Sequence, residues 1–316
     1  MAGLFVLSAF AGFNIVIDPT GEFGLSGRHS FNRAPPPTVV ASGKARGNPA
    51  FFARAIRESD AKYFLIGSSR TRRGFDTCGL PDVLVLSGSA WALPEQLQVQ
   101  RLVLVGRKKP ATLLMEVGLP TTLPPVIDDP GRAALSVALS PRTTLQALET
   151  VAHSLSNKPI QPTYTACRDT NGVEAPNWHK AAVEARHAVD RLDASPQAIL
   201  RQQATLLAMA DLADQICVKE GLRHTVVFYT LPSTPSGSPG AVEAGLFNRN
   251  SERLARVFEL RPAAPGGCKV QFLNLASIPP GPPGAQALWR SRENWLDYTH
   301  FSPGLGAWAL EVLLKN

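Results

Sequence analysis

A hydroxyl becomes a useful nucleophile only with a base beside it, a group that orients the base, and donors for the charge that develops on the attacked carbonyl. Two stretches of this chain supply those residue types. In the first, the apolar run Tyr63-Phe64-Leu65-Ile66 breaks into Gly67-Ser68-Ser69-Arg70. Four apolar residues stopped by glycine predict a buried strand ending at a tight turn. Ser69 then stands at the carboxyl end of a strand, where open α/β sheets bind their ligands. In the second, Asp297 and His300 lie three residues apart within Trp295-Leu296-Asp297-Tyr298-Thr299-His300-Phe301. That spacing lets one loop present both side chains. The pattern predicts acyl transfer: Ser69 attacks, His300 takes its proton as general base, and Asp297 holds the imidazole and stabilises its cation. The backbone N–H groups of Ser69 and Gly88 are the expected oxyanion donors, since Gly88 also follows a strand and lets backbone approach a substrate closely. Arg70 and Trp91 are the expected substrate contacts.

Each part also has an ordinary structural use. Gly67-Ser68-Ser69 can be a polar turn after a strand, and Asp297 and His300 can stand at a helix entrance. Arg70, Arg72 and Arg73 form either a solvated turn or an anion-binding lip. His153, His179, His187 and His224 read as surface or packing residues. No Cys/His cluster has zinc spacing, so neither a metal nor a cofactor is expected.

The elements that must position these groups follow from the hydrophobic pattern. Strands are predicted at 63–66, 83–86, 111–117, 224–230 and 270–275. Helices are predicted at 93–105, 197–220 and 241–260, and from Pro303 onward with Ser302 as N-cap. In the 197–220 helix, Ile199, Leu200, Leu206, Leu207, Met209 and Leu212 mark the apolar face, and Gly221 stops it. A short helix is expected within 49–60, with Phe51, Phe52, Ala55 and Ile56 on one face. Strands alternating with helices imply an α/β fold, a three-layer α/β/α sandwich around a flavodoxin-like parallel sheet of about five strands. A helical insertion is expected at about 125–222.

The N-terminus differs in kind. Residues 2–17 carry only Ser8 and Asn14 as polar side chains. No basic segment precedes this run and no small-residue cleavage site follows it, so 1–18 is expected to be an uncleaved membrane anchor rather than a signal peptide. Residues 19–48, rich in Gly, Pro and Ser, read as a linker or extended arm. The folded domain is then 49–316. The net charge of +7 and pI near 9.5 suit attraction to anionic polymers or lipid headgroups. Basic residues are scattered without an aromatic array, which argues against nucleic acid. The four cysteines, Cys78, Cys167, Cys217 and Cys268, allow two disulfides in three pairings, or four free thiols.

Taken together, Gly67-Ser68-Ser69, Gly88 and Asp297-x-x-His300 resemble the first, second and fifth sequence blocks of the SGNH, or GDSL-type, hydrolases. With Asp18-Pro19 beside the apolar segment, the layout is similar to membrane-anchored members of bacterial envelopes, including the alginate O-acetylation and D-alanyl-lipoteichoic acid proteins. The resemblance implies a single-pass protein of the cytoplasmic membrane whose domain faces the periplasm or the outside. It implies a glycan or acylated polymer as substrate and envelope-complex proteins as partners. There are two departures. Ser68 stands where many members have Asp, and no Asn occurs near Val117-Gly118-Leu119, where the third block should fall. A missing side-chain oxyanion donor can cost about 2.7–4 kcal/mol of transition-state stabilisation. A catalytically inactive relative that binds polysaccharide or scaffolds an assembly is therefore the alternative. A flavodoxin-like anion-binding domain using the Ser69 turn and Arg70 is a third reading.

Overall fold

The computed structural model describes residues 2–18, 39–42, 52, 56, 59–75, 77, 80–88, 93–120, 135, 138–155, 195–231, 241–275, 295 and 301–315. Their centre is an all-parallel sheet of six strands: β1 (Val39–Ser42), β2 (Tyr63–Gly67), β3 (Val83–Gly88), β4 (Thr112–Glu116), β5 (Thr225–Thr230) and β6 (Lys269–Asn274). The spatial order is β1-β3-β2-β4-β5-β6. Helices α1 (Ala2–Ile17), α2 (Ser69–Gly74), α3 (Leu93–Gly106), α4 (Pro141–Leu155), α5 (Pro196–Glu220), α6 (Ala241–Glu259) and α7 (Pro303–Leu314) complete the described elements.

Side chains of a strand alternate between its faces, and both faces of this sheet are covered. Phe64, Ile66, Leu84, Leu86, Leu113, Met115, Val226 and Phe228 point to one side, where they meet α3, α5 and α6 through Val103, Leu206, Met209 and Leu254. Leu65, Val85, Leu114, Val227 and Tyr229 point to the other, against Phe75, Trp295, Phe301 and the α7 residues Leu305, Ala309 and Leu313. Burial on both faces is why the central strands read as unbroken apolar runs instead of alternating ones.

Two expectations need correction. The segment 19–48 is not all linker, because Val39–Ser42 pairs in parallel with β3 and gives the sheet a sixth, edge strand. The predicted apolar stripe of α5 is also altered. Leu200 is exposed, and the buried face uses Ala198, Gln202, Ala210, Ala213 and Asp214 beside Leu206 and Met209. Small residues there allow α5 to lie close to its neighbours. Ser195 caps its start, and Gly221, the expected stop, ends the helix in the left-handed conformation at φ 66°.

At the N-terminus, α1 packs on α4. The buried amide of Asn14 donates to the Ala138 carbonyl at 2.7 Å and to Thr144 Oγ1 at 2.9 Å. Val6, Leu7, Phe10 and Val16 of α1 are exposed. Among the described residues, no helix is long and apolar enough to cross a membrane.

Candidate functional site

The strand order carries a functional consequence. Counted from β2, the last five strands run 2-1-3-4-5, and the order reverses between β2 and β4. Open α/β sheets bind ligands outside the carboxyl ends of the strands at such a reversal. Here that point is occupied by the Gly67-Ser68-Ser69 turn and by Glu116, the last residue of β4.

Ser68 is the N-cap of α2, with extended backbone at φ −89° and ψ −166°, and its hydroxyl accepts from the Arg70 N–H. Ser69 is therefore the first residue of α2, half-buried at the edge of the sheet. Beneath this turn the Glu116 carboxylate is buried, with 2% exposure. It accepts from the Ser68 N–H at 2.7 Å, the Ser68 hydroxyl at 2.8 Å and the Thr71 hydroxyl at 2.7 Å. Thr71 Oγ1 also lies 3.0 Å from the Tyr229 hydroxyl. Burial pushes the Tyr229 phenol well above its ordinary pKa, and the Glu116 charge adds to this. The phenol therefore stays protonated.

Gly67 has to be glycine for this arrangement. A Cβ there would stand 2.1 Å from Thr71 Oγ1 and 2.5 Å from Glu116 Oε2. Next to it in the β2–β3 register is Ser87, which is buried with no hydrogen-bond partner for its hydroxyl among the described residues, and Gly88 follows it at the same carboxyl edge.

Asp297, His300 and Trp91 lie outside the described residues, as do the side chains of Arg72 and Arg73. The residues flanking the Asp297/His300 stretch are described. Trp295 and Phe301 form an isolated antiparallel bridge, and both side chains are fully buried. The Phe301 ring packs edge-on against Phe75 at 5.5 Å between centroids. It also fills the space beside Gly74, where a Cβ would come within 2.1 Å of it. Gly306 of α7 then sits directly on the Gly74 carbonyl. The residue after His300 is thus wedged against the far end of the helix that Ser69 begins.

The Gly118 carbonyl, just beyond β4, accepts from Gln202 of α5 at 2.6 Å, and Gln202 accepts from Asn250 of α6 at 2.7 Å. These helix amides hold the post-β4 segment in place. Sequence reasoning missed Glu116, Thr71 and Tyr229. The only available signal was an acid ending an otherwise apolar strand.

A disulfide joins Cys217, near the end of α5, to Cys268 before β6. Among the described residues, no group of acidic, His or Cys side chains is arranged to hold a metal ion. No protein-family model matches the chain, and no curated protein matches it.

Proposed function

We propose that this protein is a serine esterase or O-acyltransferase acting on an envelope glycan through an acyl-enzyme on Ser69. The fold behind the reading is a three-layer, flavodoxin-like sandwich of the SGNH type. His300 removes the Ser69 proton as the hydroxyl attacks the ester carbonyl. The N–H groups of Ser69 and Gly88 receive the developing oxyanion, and Asp297 stabilises the imidazolium. The imidazolium then protonates the departing alkoxide. Water or a glycan hydroxyl resolves the acyl-enzyme by the reverse steps, and Arg70 and Trp91 contact the polymer.

The observation that carries this reading is the contact between Phe301 and Gly74. Ser69 and Gly74 are the first and last residues of α2, roughly 7–8 Å apart along its axis. Phe301, covalently bonded to His300, packs on the Gly74 end. The two stretches therefore meet at one short helix through Phe301. The Cys217–Cys268 disulfide supports a location in an oxidising compartment. The exposed apolar side chains of α1 support attachment at a membrane.

A second reading, an inactive domain that binds polysaccharide, is favoured by one feature. Near the end of β4, Gln202 and Asn250 each direct an amide N–H to another protein group, Gln202 Nε2 to Gly118 and Asn250 Nδ2 to Gln202, rather than to a substrate carbonyl. Fluorophosphonate labelling of the purified protein with peptide mapping separates the two. Label on Ser69 that is lost in Ser69→Ala and in His300→Ala supports the enzyme. No label on folded protein supports the binder.

A further inference from the structure

We infer that Glu116 is a positioning residue for Ser69, holding the serine turn from both sides so that the Ser69 hydroxyl is presented in one orientation; this rests on the serine-chemistry reading above. The three donors that meet the Glu116 carboxylate come from residues immediately before and shortly after Ser69: the Ser68 N–H, the Ser68 hydroxyl and the Thr71 hydroxyl. Ser69 contributes none of them. One buried acceptor thus ties down the N-cap and the first turn of α2 and leaves the residue between them at the sheet edge.

A carboxylate only accepts, so its presence fixes every proton in the cluster. Ser68 Oγ donates to Glu116 and accepts from the Arg70 N–H. Thr71 Oγ1 donates to Glu116, so at the Thr71–Tyr229 contact the phenol must be the donor. No hydroxyl in the cluster is left to choose between alternatives. The arrangement also argues against Glu116 as the catalytic base. Both of its oxygens are engaged by Ser68 and Thr71, and the residue is 2% exposed. The Gly67 backbone leaves just enough room for these contacts.

The test uses the full chain and its Glu116→Gln variant. Glutamine keeps the shape but turns one acceptor into a donor facing an N–H or O–H. Three readouts are taken: the rate and position of fluorophosphonate labelling, kcat and KM for p-nitrophenyl acetate, and amide hydrogen exchange across 63–75. The expected result is a folded variant that labels Ser69 about 10- to 100-fold more slowly, the range for lost hydrogen bonds to a buried charge. Its kcat falls with KM unchanged, and its exchange accelerates in 63–75 alone. Labelling and exchange at the wild-type rate would overturn the inference. Slower labelling explained entirely by a smaller folded fraction would also overturn it. If Glu116→Gln does not fold, Thr71→Val, which removes one donor and keeps the shape, is held to the same criteria. Label on Ser68 would overturn both the inference and the Ser69 reading. If the wild type takes no label at all, the Ser69 reading fails, and exchange alone decides: acceleration confined to 63–75 keeps Glu116 as the holder of the turn, and unchanged exchange removes it.

Discussion

Gly67 and Glu116 touch where the strand order reverses, and a methyl group on Gly67 would lie 2.5 Å from the Glu116 carboxylate and 2.1 Å from the Thr71 hydroxyl. Neither neighbour can retreat easily. Thr71 belongs to a short helix pinned by its cap, and Glu116 is held by three hydrogen bonds. Gly67→Ala is therefore expected to cost about 2–3 kcal/mol, the upper range for overpacking, and to slow labelling of Ser69. Gly118 is the control, because nothing lies within 4 Å of a Cβ there. Gly118→Ala should leave the urea midpoint within about 0.5 kcal/mol of wild type. Equal urea curves for the two variants would show that the Gly67 contact is not tight.

The Gly74–Phe301 contact makes a different prediction, one that joins stability to activity. A Cβ on Gly74 would overlap the Phe301 ring, and a Cβ on Gly306 would stand 1.7 Å from the Gly74 carbonyl. Either alanine must push α7 and Phe301 away from α2. Phe301 adjoins His300 in the chain, so the shift is expected to reach the proposed base. Gly74→Ala and Gly306→Ala should each lose more labelling of Ser69 than their loss of stability accounts for. The check is labelling rate at a temperature where circular dichroism shows both variants folded. Wild-type labelling by folded Gly74→Ala would separate Phe301 from the chemistry.

These contacts also show what a single sequence can and cannot reveal. The strands β2 to β5 were legible because each is a run of apolar residues buried on both faces, as in Leu113-Leu114-Met115, and β6 because Val270, Phe272 and Leu273 pack partly buried against the two cores. The Ser302–Pro303 start of α7 was legible from proline at the first helical position, although the Ser302 side chain makes no capping hydrogen bond to the helix. Val39–Ser42 was not, because a four-residue edge strand amid proline and glycine carries no period long enough to register. Leu200 misled because helical spacing marks a face without saying whether anything covers it. Glu116 was silent for another reason. Its role depends on Thr71 and on Tyr229, 113 positions away on β5, and no local spacing encodes a meeting across a parallel sheet.

The Cys217–Cys268 bridge closes a loop across 51 positions between α5 and β6. Loop-closure entropy gives such a bridge about 4 kcal/mol. Cys217 and Cys268 are both buried in the core cluster beneath α5, so alanine at either position also removes packing. Cys268→Ala is expected to lower the unfolding free energy by at least this amount. Dithiothreitol should reproduce most of the loss in the wild type and have a smaller effect on the variant. A wild-type thermal transition unmoved by reductant, with the bridge shown to be open by mass spectrometry, would contradict this.

His224, at the amino end of β5, predicts how stability depends on pH. Its side chain is fully buried, and its Nδ1 accepts from the Ala111 N–H at 3.1 Å. That bond sets the neutral tautomer with the proton on Nε2, which has no partner among the described residues. Burial lowers the imidazole pKa below its ordinary 6.5, and the charge of Arg107 lowers it further. The unfolded chain therefore takes up a proton at a pH where the folded chain does not. The stability linked to this group is present above about pH 6.5 and is lost as the pH falls below that value. His224→Gln keeps an acceptor for the Ala111 N–H and cannot titrate. Between pH 7 and pH 5, wild-type stability is expected to fall more steeply than that of His224→Gln, as read from urea midpoints at each pH. Parallel curves over that interval would mean that His224 is protonated equally in the folded and unfolded states, contrary to its burial.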